Sequence, residues 1–140
     1  SAYYPGMIKD IPLPKVQRVT LAAVREKGNL LQDIWKIYLI NDNDVALENT
    51  LVASTGYGEL NGEEQKTSTL RHFLQTVGPK SSALVEPIDA AVLHLNNEYW
   101  VSYYIGKDLF DKRFVFLPDT ICEENLRYIS SLDKAGVLHS

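Results

Sequence analysis

The sequence predicts an all-β domain: a Greek-key β-sandwich of about seven strands with a short C-terminal helix. Three observations lead there. Apolar and polar residues alternate with a period of two in one segment after another, turn-forming residues recur at intervals of roughly ten to fifteen positions, and the connections read as turns rather than long helices. A length of 140 residues suits one core, so no second domain is required.

The opening stretch, residues 1–15, contains Pro5, Pro12 and Pro14, which fix φ and withdraw backbone donors, so it reads as an extended surface arm. From Val16 to Lys27, Val19, Leu21 and Ala23 alternate with Arg18, Thr20 and Ala22, the pattern of a strand with one apolar face, broken by Gly28-Asn29. Asp33 to Asn41 is dense in β-branched and aromatic residues and nearly apolar on both faces, as a central strand should be. Asn41 to Asp44 reads as a turn and Ala46 to Thr55 as a further strand. Gly56 to Gln65 combines three glycines with acidic residues and reads as a long mobile loop.

Lys66 to Val77 resumes a strand, with Leu70, His72 and Leu74 on one face and Thr69, Arg71 and Phe73 on the other. After Gly78-Pro79 comes a short strand, Ser81 to Glu86, and Pro87 suits the first position of a brief helical turn. Glu98 to Ile105 and Leu109 to Leu117, joined through Gly106-Lys107-Asp108, make the clearest hairpin. Tyr99, Val101 and Tyr103 share one face of its first strand, and Phe110, Phe114 and Phe116 share one face of its second. Thr120 and Glu123 have the spacing of a capping box, which predicts a short helix from Ile121 to about Tyr128. The sandwich is thus expected over 16–118, with a helix and a loosely held tail over 119–140. Trp35 and Trp100 are expected to fill the space between opposing sheets.

A net charge of −4 argues against general affinity for a nucleic-acid backbone, which needs clustered Lys and Arg. Cys122 is the only cysteine, so no intrachain disulfide or multi-cysteine zinc site can form, which fits a reducing cytoplasm. No stretch approaches the roughly 18 apolar residues of a membrane-spanning helix, so no membrane role is expected.

The segments Trp35 to Asp42, Leu47 to Val52 with Gly56-Tyr57-Gly58, Lys66 to His72 and Phe110 to Phe116 resemble a family of short uncharacterised bacterial proteins sometimes named after the phenylalanyl-tRNA synthetase α chain. The resemblance spans about Val16 to Gly136. Taken at its word, the name implies a nucleotide-binding role connected with tRNA aminoacylation. A class II synthetase site, however, requires a strand-borne Arg with an acidic partner and a glycine-rich segment ahead of a second Arg, and neither pattern occurs here. A broader likeness is to immunoglobulin-like accessory domains: a strand ending in Asn-Asp, an irregular loop, a Thr/Ser-rich strand and a Gly-Pro-x-Ser turn.

No catalytic constellation emerges. His72, His94 and His139 are too scattered for a metal site, no Gly-x-Ser-x-Gly elbow surrounds a serine, and the acidic neighbours of Cys122 disfavour its thiolate. Gly56-Tyr57-Gly58 superficially suggests a phosphate loop, but Glu59, Glu63 and Glu64 would repel phosphate and no helix pattern follows. No cofactor is expected. The residues with recognition chemistry are Tyr57, on the glycine-rich segment, and Lys66, Arg71 and His72. Alternation places Lys66 with His72 and turns Arg71 to the other face, so these three should not form one patch. The expectation is a non-catalytic sandwich that acts by protein association or self-assembly. A carrier holding a small ligand between the sheets is a further alternative.

Overall fold

A computed structural model describes residues 15–28 and 33–139. Residues 1–14 of the expected arm, including Tyr3 and Tyr4, and Asn29 of the expected turn lie outside them. The described residues form two five-stranded antiparallel sheets. The strands are β1 (Val19–Lys27), β2 (Asp33–Asn41), β3 (Leu47–Leu60), β4 (Glu63–Lys66), β5 (Leu70–Val77), β6 (Ser81–Ile88), β7 (Asn96–Ile105), β8 (Asp108–Phe116), β9 (Arg127–Ile129) and β10 (Lys134–His139). Sheet A has the order β6-β2-β1-β10-β9, and sheet B the order β4-β3-β7-β8 with β5 also pairing with β3.

Period-two alternation builds the core. Leu21, Ala23, Trp35, Ile37 and Leu39 of sheet A meet Val52, Tyr99, Val101, Tyr103, Phe114 and Phe116 of sheet B. Tyr103 and Phe110 stack with ring centroids 5.3 Å apart, and Tyr99 meets Phe116 edge-on at 6.1 Å, geometries favoured by the ring quadrupoles. The β7–β8 hairpin is as expected, with Gly106 at φ +60 in its turn.

Four elements differ from the sequence expectation. The first is the segment read as a mobile loop. β3 continues through Gly56, Tyr57 and Gly58 to Leu60, and β4 returns from Glu63. Asn61 at φ 53 and Gly62 at φ 80 form the two-residue turn between them. Left-handed backbone at both central positions matches the twist of a hairpin, and Asn-Gly is the pair that adopts it at least cost. Gly56 and Gly58 face inward, where a Cβ would stand 3.4 and 3.2 Å from the Leu95 methyls. The glycines admit Leu95 against the backbone, and no helix follows them as a phosphate site would need.

The second is the C-terminal segment. The expected helix over Ile121 to Tyr128 is a single 3-10 turn, Glu123–Asn125, after which β9 and β10 are strands. The Thr120 hydroxyl donates to the Leu117 carbonyl at 2.7 Å instead of capping, and Ile121 is buried in the core. A helix of two turns is marginal by itself, whereas β10 gains a full ladder against β1 from Leu21 to Val24 and buries Val137. The expected loose tail therefore supplies two strands of sheet A, β10 beside β1 and β9 at the edge.

The third is Trp100. It sits on a central strand opposite the sheet of Trp35, but only Trp35, 8% exposed, enters the core. Trp100 is 45% exposed, because Tyr99, Val101 and Tyr103 take the inward positions of β7 and leave it the outward parity. The fourth is the turn near Pro87. Pro87 stays in edge strand β6, where its missing N–H costs no ladder bond, and the 3-10 turn Ala90–Val92 is capped by Asp89, which accepts from the Ala91 amide at 2.8 Å.

Candidate functional site

Where β4 gives way to β5, the register changes. Tyr57 pairs with Lys66, but Ser54 pairs with Leu70, so Thr67, Ser68 and Thr69 oppose only Thr55 and Gly56. One extra residue makes a bulge. Thr67 holds it: its amide donates to the Gly56 carbonyl at 2.8 Å, and its hydroxyl accepts from the Gly56 amide at 2.8 Å. A slip of one residue exchanges the two faces of a strand. Lys66 and Arg71, five positions apart, therefore share the outward face, and His72 turns inward. The sequence expectation that grouped Lys66 with His72 and set Arg71 apart is reversed by this bulge.

Cross-strand register then orders the outward face of sheet B into rows. Arg71, Ala53, Trp100 and Arg113 lie side by side across β5, β3, β7 and β8. Thr55 and Glu98 pair in the next row, with Thr69 of the bulge hydrogen-bonded to Thr55, and Lys66, Tyr57 and Asn96 form the row after. Phe73, 61% exposed, adds a third aromatic ring to Trp100 and Tyr57, beside Leu51. Ala53, Thr55 and Thr69 are small, so a depression of about 580 Å³ opens between Trp100, Tyr57 and Lys66 with Glu98 in its wall.

The walls are held in place. Arg113 donates through Nε to Glu98 and through Nη2 to the Tyr57 hydroxyl at 2.7 Å. Tyr57 is thus half-buried on β3 rather than displayed on a loop. The Glu98 carboxylate and the Tyr57 hydroxyl keep the Arg113 guanidinium above its usual range. Thr55 and Thr69 share a hydroxyl hydrogen bond of 2.8 Å. Lys66 and Arg71, by contrast, have no carboxylate within ion-pair distance among the described residues.

His72 belongs to a different environment, the cleft between the sheets where β5 faces β6. Its Nε2 donates to Glu86 Oε1 at 2.6 Å, Ser54 donates to the same oxygen at 2.8 Å, and Tyr99 donates to Oε2 at 3.0 Å. A cavity of about 220 Å³ adjoins Ser54, Glu86 and Tyr99. Ser54 and His72 both point at the carboxylate and not at each other, so the trio lacks the nucleophile-to-base hydrogen bond of acyl-transfer chemistry. Its observed role is to satisfy a partly buried carboxylate.

Tyr57, Lys66 and Arg71 are thus brought to one face, and His72 is not among them. Trp100, Glu98 and Arg113 were not singled out from the sequence as recognition residues, and the signal for Trp100 was its parity opposite Tyr99 and Val101. His94 hydrogen-bonds Gln65 at 2.9 Å, far from forming a cluster with the other histidines. Among the described residues no group of three or more His, Cys, Asp or Glu is arranged to hold a metal ion, and no helix is long and apolar enough to cross a membrane. Compared with known proteins, the chain matches no family, no curated protein and no solved structure.

Proposed function

We propose that this chain is a non-catalytic binding module that acts by protein association through the outward face of sheet B. One observation carries the reading: the row Arg71-Ala53-Trp100-Arg113, in which an exposed indole stands between two guanidinium groups beside an open depression. Trp, Tyr and Arg are the side chains that dominate protein interfaces, because they combine large contact area with a polar or charged tip. Trp100 and Phe73 also leave aromatic surface exposed on the same face, the kind of surface that partners cover. The lone Cys122 supports a reducing compartment as the place of action.

Affinity capture from native lysate, with the wild-type chain and the Trp100→Ala and Arg71→Ala variants, tests the reading alongside thermal melts. A specific partner should be held by the wild type and lost by both variants at unchanged melting temperature. A chain that captures nothing and stays monomeric at every concentration would remove it.

A further inference from the structure

Two features of the outward face of sheet B are unsatisfied within one molecule and complementary between two. Glu59 and Glu64 stand directly opposite each other across the β3–β4 pair, both exposed, with Glu63, of the opposite parity, next to the turn. Like charges at facing positions of a ladder destabilise it. Among the described residues no cation forms an ion pair with any of these carboxylates, and Lys66 of β4 and Arg71 of β5 lack an acidic partner. We infer that the partner of this face is a second copy of the chain, packed face to face so that the acidic hairpin tip of each copy meets Arg71 of the other. This rests on the reading of the face as an association surface.

The register supplies the symmetry operator. Glu64 lies in the row of Glu59, and Arg71 in the row of Ala53. A two-fold axis in the interface, perpendicular to the strands and level with Gly56 of β3, exchanges those two rows. It sets Glu64 of one copy over Arg71 of the other and exchanges the row of Tyr57 and Lys66 with that of Thr55 and Thr69. Lys66 then meets the hydroxyl of Thr69 rather than its own counterpart. Every such contact occurs twice, as an isologous interface requires. The small residues Ala53, Thr55 and Thr69 give the depression into which the long side chains of the other copy fit.

Sedimentation velocity and light scattering over a wide concentration range, at low and high salt, test this. A reversible dimer is expected, weakened by salt because its ion pairs lie at the interface rim. Arg71→Glu and Glu64→Lys, both at exposed positions, should each weaken it by about tenfold or more, since each places like charges together twice. The double variant, which restores the pairs with reversed sign, should recover the dimer. A monomer at all concentrations overturns the inference, as does a dimer indifferent to salt and to both substitutions. A monomer that still captures another protein through Trp100 overturns the self-pairing while leaving the association surface in place.

Discussion

His72 Nε2 lies 2.6 Å from Glu86 Oε1 and ties the β5 edge of sheet B to the β6 edge of sheet A. On the opposite side of the sandwich, His139 of β10 accepts from the Val115 amide of β8 at 3.4 Å and meets the Phe114 and Phe116 rings edge-on. Each open side of the sandwich is thus bridged by a histidine. Removing the first bridge, in His72→Ala, leaves a partly buried carboxylate with fewer donors and is expected to cost about 1–3 kcal/mol. Glu86→Ala orphans the donors of Ser54, His72 and Tyr99 together and should cost more. Urea denaturation measures both, and an unchanged midpoint for either would show that the bridge contributes nothing.

The two tryptophans should separate cleanly. Trp35→Ala empties part of the core and is expected to cost about 3–5 kcal/mol. Trp100→Ala touches an outward position and should change stability by no more than about 1 kcal/mol. Iodide quenching checks the assignment: emission from Trp100 should be quenched readily and that from Trp35 scarcely. Equal quenching of the two would contradict the inward and outward placement.

Asn41 is fully buried and serves two turns at once. Its Nδ2 donates to the carbonyls of Val45, Val77 and Gly78 at 2.9, 3.2 and 2.8 Å, and its Oδ1 accepts from the Asn43 amide at 2.9 Å. Asn41→Leu, similar in volume, strands these backbone groups away from water and should cost about 2–4 kcal/mol. Amide hydrogen exchange should quicken around Asn43 and Val77 first, and exchange that quickens uniformly would argue against a local anchor.

Alkaline pH should unfold the protein through its inner tyrosines. Burial raises the Tyr99 phenol well above its ordinary value, with the Glu86 carboxylate adding to the effect, and burial raises Tyr103 to about 12. Below pH 10.0, the ordinary value, both phenols are protonated in the folded and unfolded chain, so they contribute no pH dependence. Above it the unfolded chain loses protons that the native state keeps, and stability falls as pH rises toward about 12. Melting temperatures across this range, with phenolate absorbance followed in parallel, should show ionisation of these two rings only together with unfolding. Reversible ionisation of every tyrosine in the native state would refute it.

Much of the candidate face was legible in part. Tyr57, Lys66 and Arg71 carry chemistry that suits recognition whatever their surroundings, and the parity of β7 already set Trp100 apart from Tyr99 and Val101. Their grouping was not legible. Strict alternation through the Lys66 to Val77 segment separates Lys66 from Arg71, and only the bulge at Thr67 reunites them, through hydrogen bonds to Gly56 eleven positions away. The acidic, glycine-rich composition of residues 56–65 outweighed the Asn61-Gly62 pair within it, although that pair is the local signal of a hairpin.

The sequence alone determined which side chains of most strands face inward, because alternation is a property of the extended backbone and needs no knowledge of the neighbouring strand. Tertiary structure decided what depends on partners distant in the chain. Pairing with β1 made a strand of the tail that contains Val137, pairing with β4 carried β3 on through the glycines that Leu95 packs against, and the Gly56 contact shifted the register of β4 against β5. In each case long-range hydrogen bonds and burial outweighed local preferences worth about 1 kcal/mol or less per residue.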